Sequence, residues 1–293
     1  MDFKTYLNNF FLEYDYSKED AHVLMDAYVK ISKSPSMSNL WNRALELYEK
    51  DINCDYEELV RIADEIAETV NLQEYTLEML VLIGISQKAR EICSDYGMDF
   101  EMFHNNMLDL KYKLEECKLV KGIVGTFVPK WYKGFFNFTR FTFGRLQFEI
   151  VDFGDNYEAK GITLTPDSKV INVHVPRTGT PLDEKSCDES FKMAKEFFAR
   201  ELNNVCVFVC HSWLLYSENK NILSPKSNTY KFMQRFELID TKIDKEKCNL
   251  WRIFDTEEKN VDRLPENTPM QKAYLKHLKS GGKLGYSKGV YVL

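Results

Sequence analysis

Long hydrophobic runs are missing from this sequence of 293 residues. Its apolar stretches are all far shorter than the roughly 18 consecutive residues of a transmembrane helix, which excludes an ordinary membrane-spanning segment. The N-terminal stretch MDFKTYLNNFFLEYD is acidic and amphipathic, unlike the basic and apolar start of a signal peptide. We therefore expect a cytoplasmic protein that has no membrane partner.

The cysteine patterns of disulfide-rich and zinc-binding proteins are also missing. The seven cysteines include no Cys-x-x-Cys pair and no cluster with histidine at zinc-site spacing. Cys206 and Cys210 would share one face of a strand, but at about 3.3 Å per residue they lie about 13 Å apart, too far for a disulfide. We expect reduced thiols in the core, and no metal site is predicted.

A dense basic stripe is absent, although charge is distributed unevenly. Residues 1–118 contain 12 Lys and Arg against 24 Asp and Glu, and the remaining residues contain 27 against 21. The positive second part favours an anionic ligand such as a coenzyme phosphate, whereas nucleic acid would need a denser basic surface, so no nucleic-acid partner is expected. The acidic first part is equally consistent with helices whose solvent-exposed faces are acidic.

Helical patterns fill the first part of the chain. The segment LEMLVLIGI predicts the central helix of a bundle, and an apolar stripe at helical spacing is formed by Leu59, Ile62, Ile66 and Val70. No solenoid repeat and no low-complexity linker occurs. Because helical periodicity breaks over residues 119–135, we predict an all-α N-terminal domain at 1–118 and a second domain at 119–293.

Two apolar runs organise the second domain, Val170–Val175 and Val205–Cys210. Between them, apolar residues recur at helical spacing from Cys187 to Leu202. A strand, a helix and a strand in this order predict two parallel strands joined by a right-handed crossover. Since open sheets of this kind bind ligands beyond the carboxyl ends of their strands, we expect a site beside His174, Arg177, His211 and Ser212.

Other segments complete an α/β pattern. Residues 145–153 alternate as a half-buried strand with Glu149 on the polar face, and Asn172 and His174 share one face of their strand. After a helix capped by Ser227 or Asn228, FELIDTKI and LWRIF predict an antiparallel strand pair. MQKAYLKHL predicts a helix. Gly281 and Gly282 after it fit a helix C-cap better than a phosphate site.

The loop after the first apolar run has two interpretations. The amides of a helix start, with Arg177, Thr178, Gly179 and Thr180 nearby, could hold a pyrophosphate. However, Gly179 is the loop's one glycine, and Pro181 removes a backbone donor. The alternative is an ordinary connection that ends in a Ser or Asp helix cap.

Several segments carry a family resemblance. GRLQFEIVDF, INVHVPRTGTPL, CHSWLLY, LSPKSNTYKFMQRF and LPENTPMQKAYLKHLKSGGKLGYSKG resemble the GNAT-like C-terminal domain of bacterial acyltransferase domain-containing proteins. Those proteins also carry a helical N-terminal domain, so the resemblance extends over nearly the whole chain. It implies a GNAT-like mixed sheet with a crossover helix, and acyl-CoA as co-substrate.

The resemblance also implies roles for individual residues. Acetyltransferases of this fold carry Gln/Arg-x-x-Gly-x-Gly/Ala before the crossover helix, and Arg177 and Gly179 depart from that spacing. They also place a tyrosine in the helix after the fifth strand to protonate the thiolate, which makes Tyr230 a candidate.

For direct acyl transfer to an amine, His211 or Glu149 is the candidate base, amides near His174 polarise the carbonyl, and Tyr230 or Ser212 is the candidate acid. A nucleophilic Ser212 is disfavoured, because His211 next to it would point to the opposite face of the strand.

Two functions remain open from the sequence. One is an acyl-CoA-dependent N-acyltransferase that acts on an amine of a small molecule or peptide. The other is a non-catalytic GNAT-like module that binds a metabolite or a protein partner. The irregular phosphate loop favours the second, whereas the polar strand ends and the positive second domain favour the first.

Overall fold

The computed structural model describes residues 1–159, 161–202 and 205–293. The chain divides into two compact units, Met1–Phe141 and Thr142–Leu293. The first is helical, and the second contains a mixed sheet with helices, which is the fold class that the sequence predicts. The functional domains at 1–118 and 119–293 stay a prediction. The last long helix of the first unit continues past residue 118 and ends at Lys121.

The first unit is built from helices and two short 3-10 turns, at Cys93–Tyr96 and Pro129–Tyr132. Its helices are α1 (Phe3–Glu13), α2 (Lys18–Ser32), α3 (Pro35–Lys50), α4 (Tyr56–Val70), α5 (Glu74–Ile92), α6 (Phe100–Lys121) and α7 (Lys133–Phe136). Side-chain oxygens accept a hydrogen bond from first-turn amides at four helix starts, those capped by Asp2, Ser17, Asp55 and Asp99. These caps satisfy amides that have no partner within the helix.

Helix α5 is the centre of this unit, as its apolar sequence predicts. It is buried at every position from Thr76 to Ser86 and contacts α1, α2, α3, α4 and α6. Gly84 allows α3 to approach closely, because a β-carbon there would lie 2.8 Å from Leu45 and 2.9 Å from Trp41. Among the helices of the described ranges, none is both long enough and apolar enough to cross a membrane.

The second unit contains a mixed sheet and a separate two-stranded ladder. Its strands are β1 (Arg140–Phe143), β2 (Leu146–Asp152), β3 (Tyr157–Ala159), β4 (Ile162–Leu164), β5 (Lys169–His174), β6 (Val207–Ser212), β7 (Glu237–Ile243) and β8 (Gly285–Val292). The sheet has the order β1-β2-β5-β6-β8-β7, and β3 pairs with β4. Strand β1 begins at the end of the first unit and continues into the second.

Helices of the second unit lie between the strands in sequence. They are α8 (Glu184–Phe198), α9 (Asn219–Ile222), α10 (Asn228–Met233), α11 (Leu250–Phe254) and α12 (Pro269–Lys279). The predicted parallel pair joined by a helix is confirmed, because α8 joins β5 to β6 and these strands pair in parallel, with Ile171 opposite Phe208. The predicted cap of α10 is also confirmed, since the Ser227 hydroxyl accepts from the Tyr230 amide.

Each face of the sheet buries its own cluster of side chains. On one face Phe191 of α8 packs edge-on against Phe148 of β2 and Phe208 of β6, with ring centroids 5.8 Å and 4.9 Å apart. On the other face, apolar strand residues pack with Phe153, Tyr157 and Leu164 from the β3–β4 region. These strand residues are Val170, Val207, Val209 and Val290.

The structure corrects one predicted strand pair. FELIDTKI forms β7, but LWRIF forms helix α11, and the antiparallel partner of β7 is β8. Leu250, Ile253 and Phe254 have the spacing of one helical face, and all three are buried in a cluster of helices that also contains Leu223, Tyr274 and Leu284. We call this the helical cluster. The predicted C-cap is confirmed, since Gly281 after α12 has φ of 87°.

Candidate active site

The parallel strands β5 and β6 pair over only part of their length. Their register contains Ile171 opposite Phe208 and Asn172 opposite Val209. Strand β5 continues to His174 and β6 continues to Ser212 without further pairing between them. The ladder between the two strands therefore stops short of their carboxyl ends. In an open α/β sheet this is the place where ligands bind.

A polar cluster of Glu149, Asn172 and His174 lies at this end of β5. Antiparallel pairing of β2 with β5 places Glu149 opposite Asn172, with His174 two residues further on the same face. Oε1 of Glu149 lies 2.6 Å from Nε2 of His174 and accepts a 3.3 Å hydrogen bond from the Asn172 amide. The side-chain nitrogen Nδ2 of Asn172 also lies 3.1 Å from Nε2 of His174. The side chains of His174 and Glu149 are 20% and 15% exposed, so the pair is shielded yet reachable.

This geometry defines what the cluster can do chemically. A bond from Nε2–H to Glu149 fixes the tautomer of a neutral His174 and leaves the lone pair on Nδ1. The carboxylate also stabilises the imidazolium that forms when Nδ1 takes up a proton. The sequence predicts that Asn172 and His174 share a face. It does not predict the contact with Glu149, which depends on the register between β2 and β5.

His211 occupies a different setting on β6. It shares its strand face with Val207 and Val209 and lies opposite Lys288 of β8. Its ring packs edge-on against Tyr286, with centroids 4.9 Å apart. The residue is exposed at the end of an otherwise buried strand. Partial burial, followed by the ammonium groups of Lys242 and Lys288, lowers the pKa of His211 below its usual 6.5.

We expect an NMR titration of the His211 ring to give a midpoint below 6.5, the usual value. Because the folded state resists protonation, the unfolded chain takes up the proton first as the pH falls below that value. The contribution of His211 to the free energy of unfolding therefore decreases on acidification until the folded-state pKa is passed. His211→Gln should remove this part of the pH dependence. A midpoint above 6.5 would show that burial and the ammonium groups of Lys242 and Lys288 do not act on the ring as described.

Ser212 and Tyr230, the two candidate acids, both have structural contacts. The Ser212 hydroxyl accepts a 3.2 Å hydrogen bond from the Leu214 amide and caps the 3-10 turn Trp213–Leu215. Tyr230 lies in α10 and packs, half-buried, against the helical cluster. Trp213, directly after β6, packs against the same cluster. The segment directly after β6 is therefore in contact with the helical cluster.

The loop between β5 and α8 is held by ion pairs and hydrogen bonds. Arg177 forms a bidentate pair with Asp255, the residue after α11. The hydroxyl groups of Thr178 and Thr180 lie 2.7 Å apart, and Gly179 has φ of 73° with open space around it. This φ favours glycine, because an L side chain is strained there.

Two further residues shape this loop. Asp183 caps α8 by accepting from the Ser186 amide at 3.0 Å, and hydrogen bonds from Ser186 lower the pKa of that carboxyl. A negative charge therefore lies at the helix start, which confirms the predicted Asp cap. Arg145 was missed by the sequence interpretation, and its guanidinium donates to the carbonyls of Pro176, Thr180 and Pro181.

The chain is similar in structure to an acyltransferase in complex with decanoyl-CoA and teicoplanin, with 19% sequence identity, a TM-score of 0.77, and coverage of 98% of this chain and 87% of the other. A variant acyltransferase in complex with octanoyl-CoA gives the same values. At 19% sequence identity, this structural similarity establishes a shared fold. No curated protein sequence matches the chain.

A family model gives the assignment. The model for the GNAT-like C-terminal domain matches residues 141–291, which include β2, β5, β6, the polar cluster and the helical cluster. The match covers more than half of the chain. The protein therefore belongs to the family defined by the GNAT-like C-terminal domain.

Proposed function

We propose that this protein is an N-acyltransferase that uses acyl-CoA as co-substrate and acylates an amine of a small molecule or peptide. The observation that carries the proposal is the pair of Glu149 and His174 at the open carboxyl ends of β5 and β6. Support also comes from the fold, since proteins of similar structure were crystallised with decanoyl-CoA, octanoyl-CoA and teicoplanin.

In the proposed reaction His174 is the general base. Its Nδ1 takes a proton from the attacking amine while the new C–N bond forms at the thioester carbonyl, and Glu149 stabilises the resulting imidazolium. Collapse of the intermediate breaks the C–S bond, and a proton reaches the thiolate from Tyr230 or from the imidazolium. Backbone amides after His174 polarise the carbonyl. His211 is the alternative base, and Ser212 has a capping role.

The phosphates of the coenzyme are assigned to the loop of Arg177, Thr178, Gly179 and Thr180. Arg177 would then exchange part of its pairing with Asp255 for a phosphate. We expect Arg177→Ala to weaken binding of decanoyl-CoA about tenfold or more, because hydrogen bonds to charged groups contribute about 1.5–3 kcal/mol. Asp255→Asn should tighten binding. Isothermal calorimetry measures both, with exposed Lys226→Ala as a charge-matched control.

Unchanged affinity in Arg177→Ala would remove the loop from the coenzyme site. Absence of binding by wild-type protein to any acyl-CoA would favour the second candidate function, a non-catalytic module for a metabolite or protein partner. One observation favours that alternative: the Asp183 carboxylate occupies the helix start at which a pyrophosphate would otherwise bind.

A cytoplasmic location and a metal-free reaction complete the proposal. All seven cysteines are unpaired thiols, and six of them are buried, which fits a reducing compartment. Residues 1–118 are proposed as the helical domain that accompanies the acyltransferase domain at 119–293.

A further inference from the structure

Strand β7 is the last strand of the sheet in the part of the chain that the structure describes. Its second half, residues 240–243, is exposed at every position. Ile243 is 41% exposed although its side chain is apolar. An exposed edge strand is a template on which another strand can pair, because part of its N–H and C=O groups point away from the sheet.

The pairing of β7 with β8 determines which backbone groups point outward. Just after β7, the Asp244 amide donates to the Leu284 carbonyl at 2.9 Å, in continuation of the register between the two strands. Hydrogen-bonded and non-hydrogen-bonded pairs alternate along an antiparallel ladder, so the backbone groups of Thr241 and Ile243 point away from β8. The side chains agree, since the Thr241 and Ser287 hydroxyls lie only 2.9 Å apart, as expected for a non-hydrogen-bonded pair.

The charges beside Thr241 complement those of a second copy of the same strand. Asp240 and Lys242 lie on one face of β7, where they form a 3.1 Å ion pair and are 44% and 61% exposed. In an antiparallel pair of two β7 strands with Thr241 opposite Thr241, each Asp240 lies opposite Lys242 of the other copy. A register shifted by two residues places Asp240 opposite Asp240, or Lys242 opposite Lys242, and like charges directly opposite are destabilising.

We propose that β7 is a dimerisation edge, to which a second copy of this chain adds its own β7 in antiparallel orientation centred on Thr241. The backbone groups of Thr241 and the two reciprocal Asp240–Lys242 pairs favour the same register. A two-fold interface of this kind uses one patch on both copies. The interface is independent of the proposed acyl transfer.

The length of the ladder sets the strength of the dimer. A bulge between Leu238 and Asp240 interrupts the regular strand, so only a few residues of each copy can pair. The buried area is therefore small, and we expect a reversible dimer with a dissociation constant of roughly micromolar order or weaker. Higher salt should weaken it, because exposed ion pairs are screened.

Charge reversal tests the register. Analytical ultracentrifugation of the full chain over a concentration series should show a monomer–dimer equilibrium for the wild-type protein. Asp240→Lys and Lys242→Asp each place like charges opposite one another and should weaken the dimer at least about tenfold. An equimolar mixture of the two variants restores both opposite-charge pairs, so it should form a heterodimer of nearly wild-type affinity. Lys226→Asp, at an exposed position outside the sheet, is the control and should dimerise like the wild type.

Hydrogen exchange tests the backbone pairing. The amides of Thr241 and Ile243 should exchange more slowly as the protein concentration rises, whereas the Lys242 amide, which faces β8, should be protected at every concentration. A wild-type protein that stays monomeric at high concentration would overturn the proposal. So would a dimer that the single charge reversals leave intact, or variants that fail to associate when mixed.

Discussion

Replacement of His174 by glutamine is expected to lower kcat for acyl transfer by about 10²–10⁴-fold, the usual contribution of a general base. Glutamine retains a hydrogen-bonding partner for Glu149 but cannot accept the proton of the amine. Because the pair is partly exposed at a strand end, the melting temperature and the KM for acyl-CoA should change little. Steady-state kinetics of thiol release measure the effect.

Glu149→Gln should also lower kcat, because the imidazolium loses its stabilising carboxylate. As the two residues act as a unit, the double variant should be hardly slower than His174→Gln alone. His277→Gln, in the last turn of α12, is the matched control and should retain wild-type turnover. His211→Gln separates the two candidate bases: if it loses turnover while His174→Gln does not, the base is His211.

The second large effect is expected from Gly285→Ala, which should decrease the free energy of unfolding by about 3 kcal/mol, at the upper end for overpacked positions. A β-carbon at this position of β8 would lie 2.2 Å from the Tyr216 ring and 2.6 Å from the carbonyl oxygen of Lys242. The second clash involves the backbone of β7 and cannot be relieved by rotating a side chain. Urea denaturation followed by circular dichroism measures the change.

A double variant divides this loss between its two sources. Tyr216→Leu removes the ring, so Gly285→Ala should be less harmful in that background, and the remaining loss reports the Lys242 carbonyl. The comparison is a double-mutant cycle. Wild-type stability of Gly285→Ala would show that β8 does not pass Tyr216 and β7 as closely as described.

The crossover could be predicted because its signals are local. The apolar run of β5, the helical repeat of α8 and the apolar run of β6 follow one another in sequence, and a parallel pair is their usual result. The period of a strand also places Asn172 and His174 on one face. These features depend on short stretches, so one sequence is enough to infer them.

The contacts of the site could not be predicted in the same way. Glu149 reaches His174 through the register of β2 with β5, and the β3–β4 pair separates these strands in sequence. Nothing local sets that register. LWRIF is similarly ambiguous, because five mostly apolar residues fit a strand or one turn of helix, and burial in the helical cluster decides for α11.

Glu78 illustrates a signal that was present and unused. It lies within TLEMLVLIGI, a segment apolar enough to be buried on all sides, so an acid there is necessarily desolvated. That reasoning needs no structure. Which side chains of α4 cover Glu78 can be known only from the structure, since Leu59 and Ala63 reach it through the packing of α4 against α5.

The central claim is that the Glu149–His174 pair catalyses acyl transfer from acyl-CoA to an amine. The most direct measurement is mass spectrometry of the amide formed from decanoyl-CoA and a panel of primary amines, with released thiol counted in parallel. We expect amide and thiol in equal amounts for wild-type protein and at least about a hundredfold slower formation in His174→Gln. No amide from any amine, or equal rates in the two proteins, would contradict it.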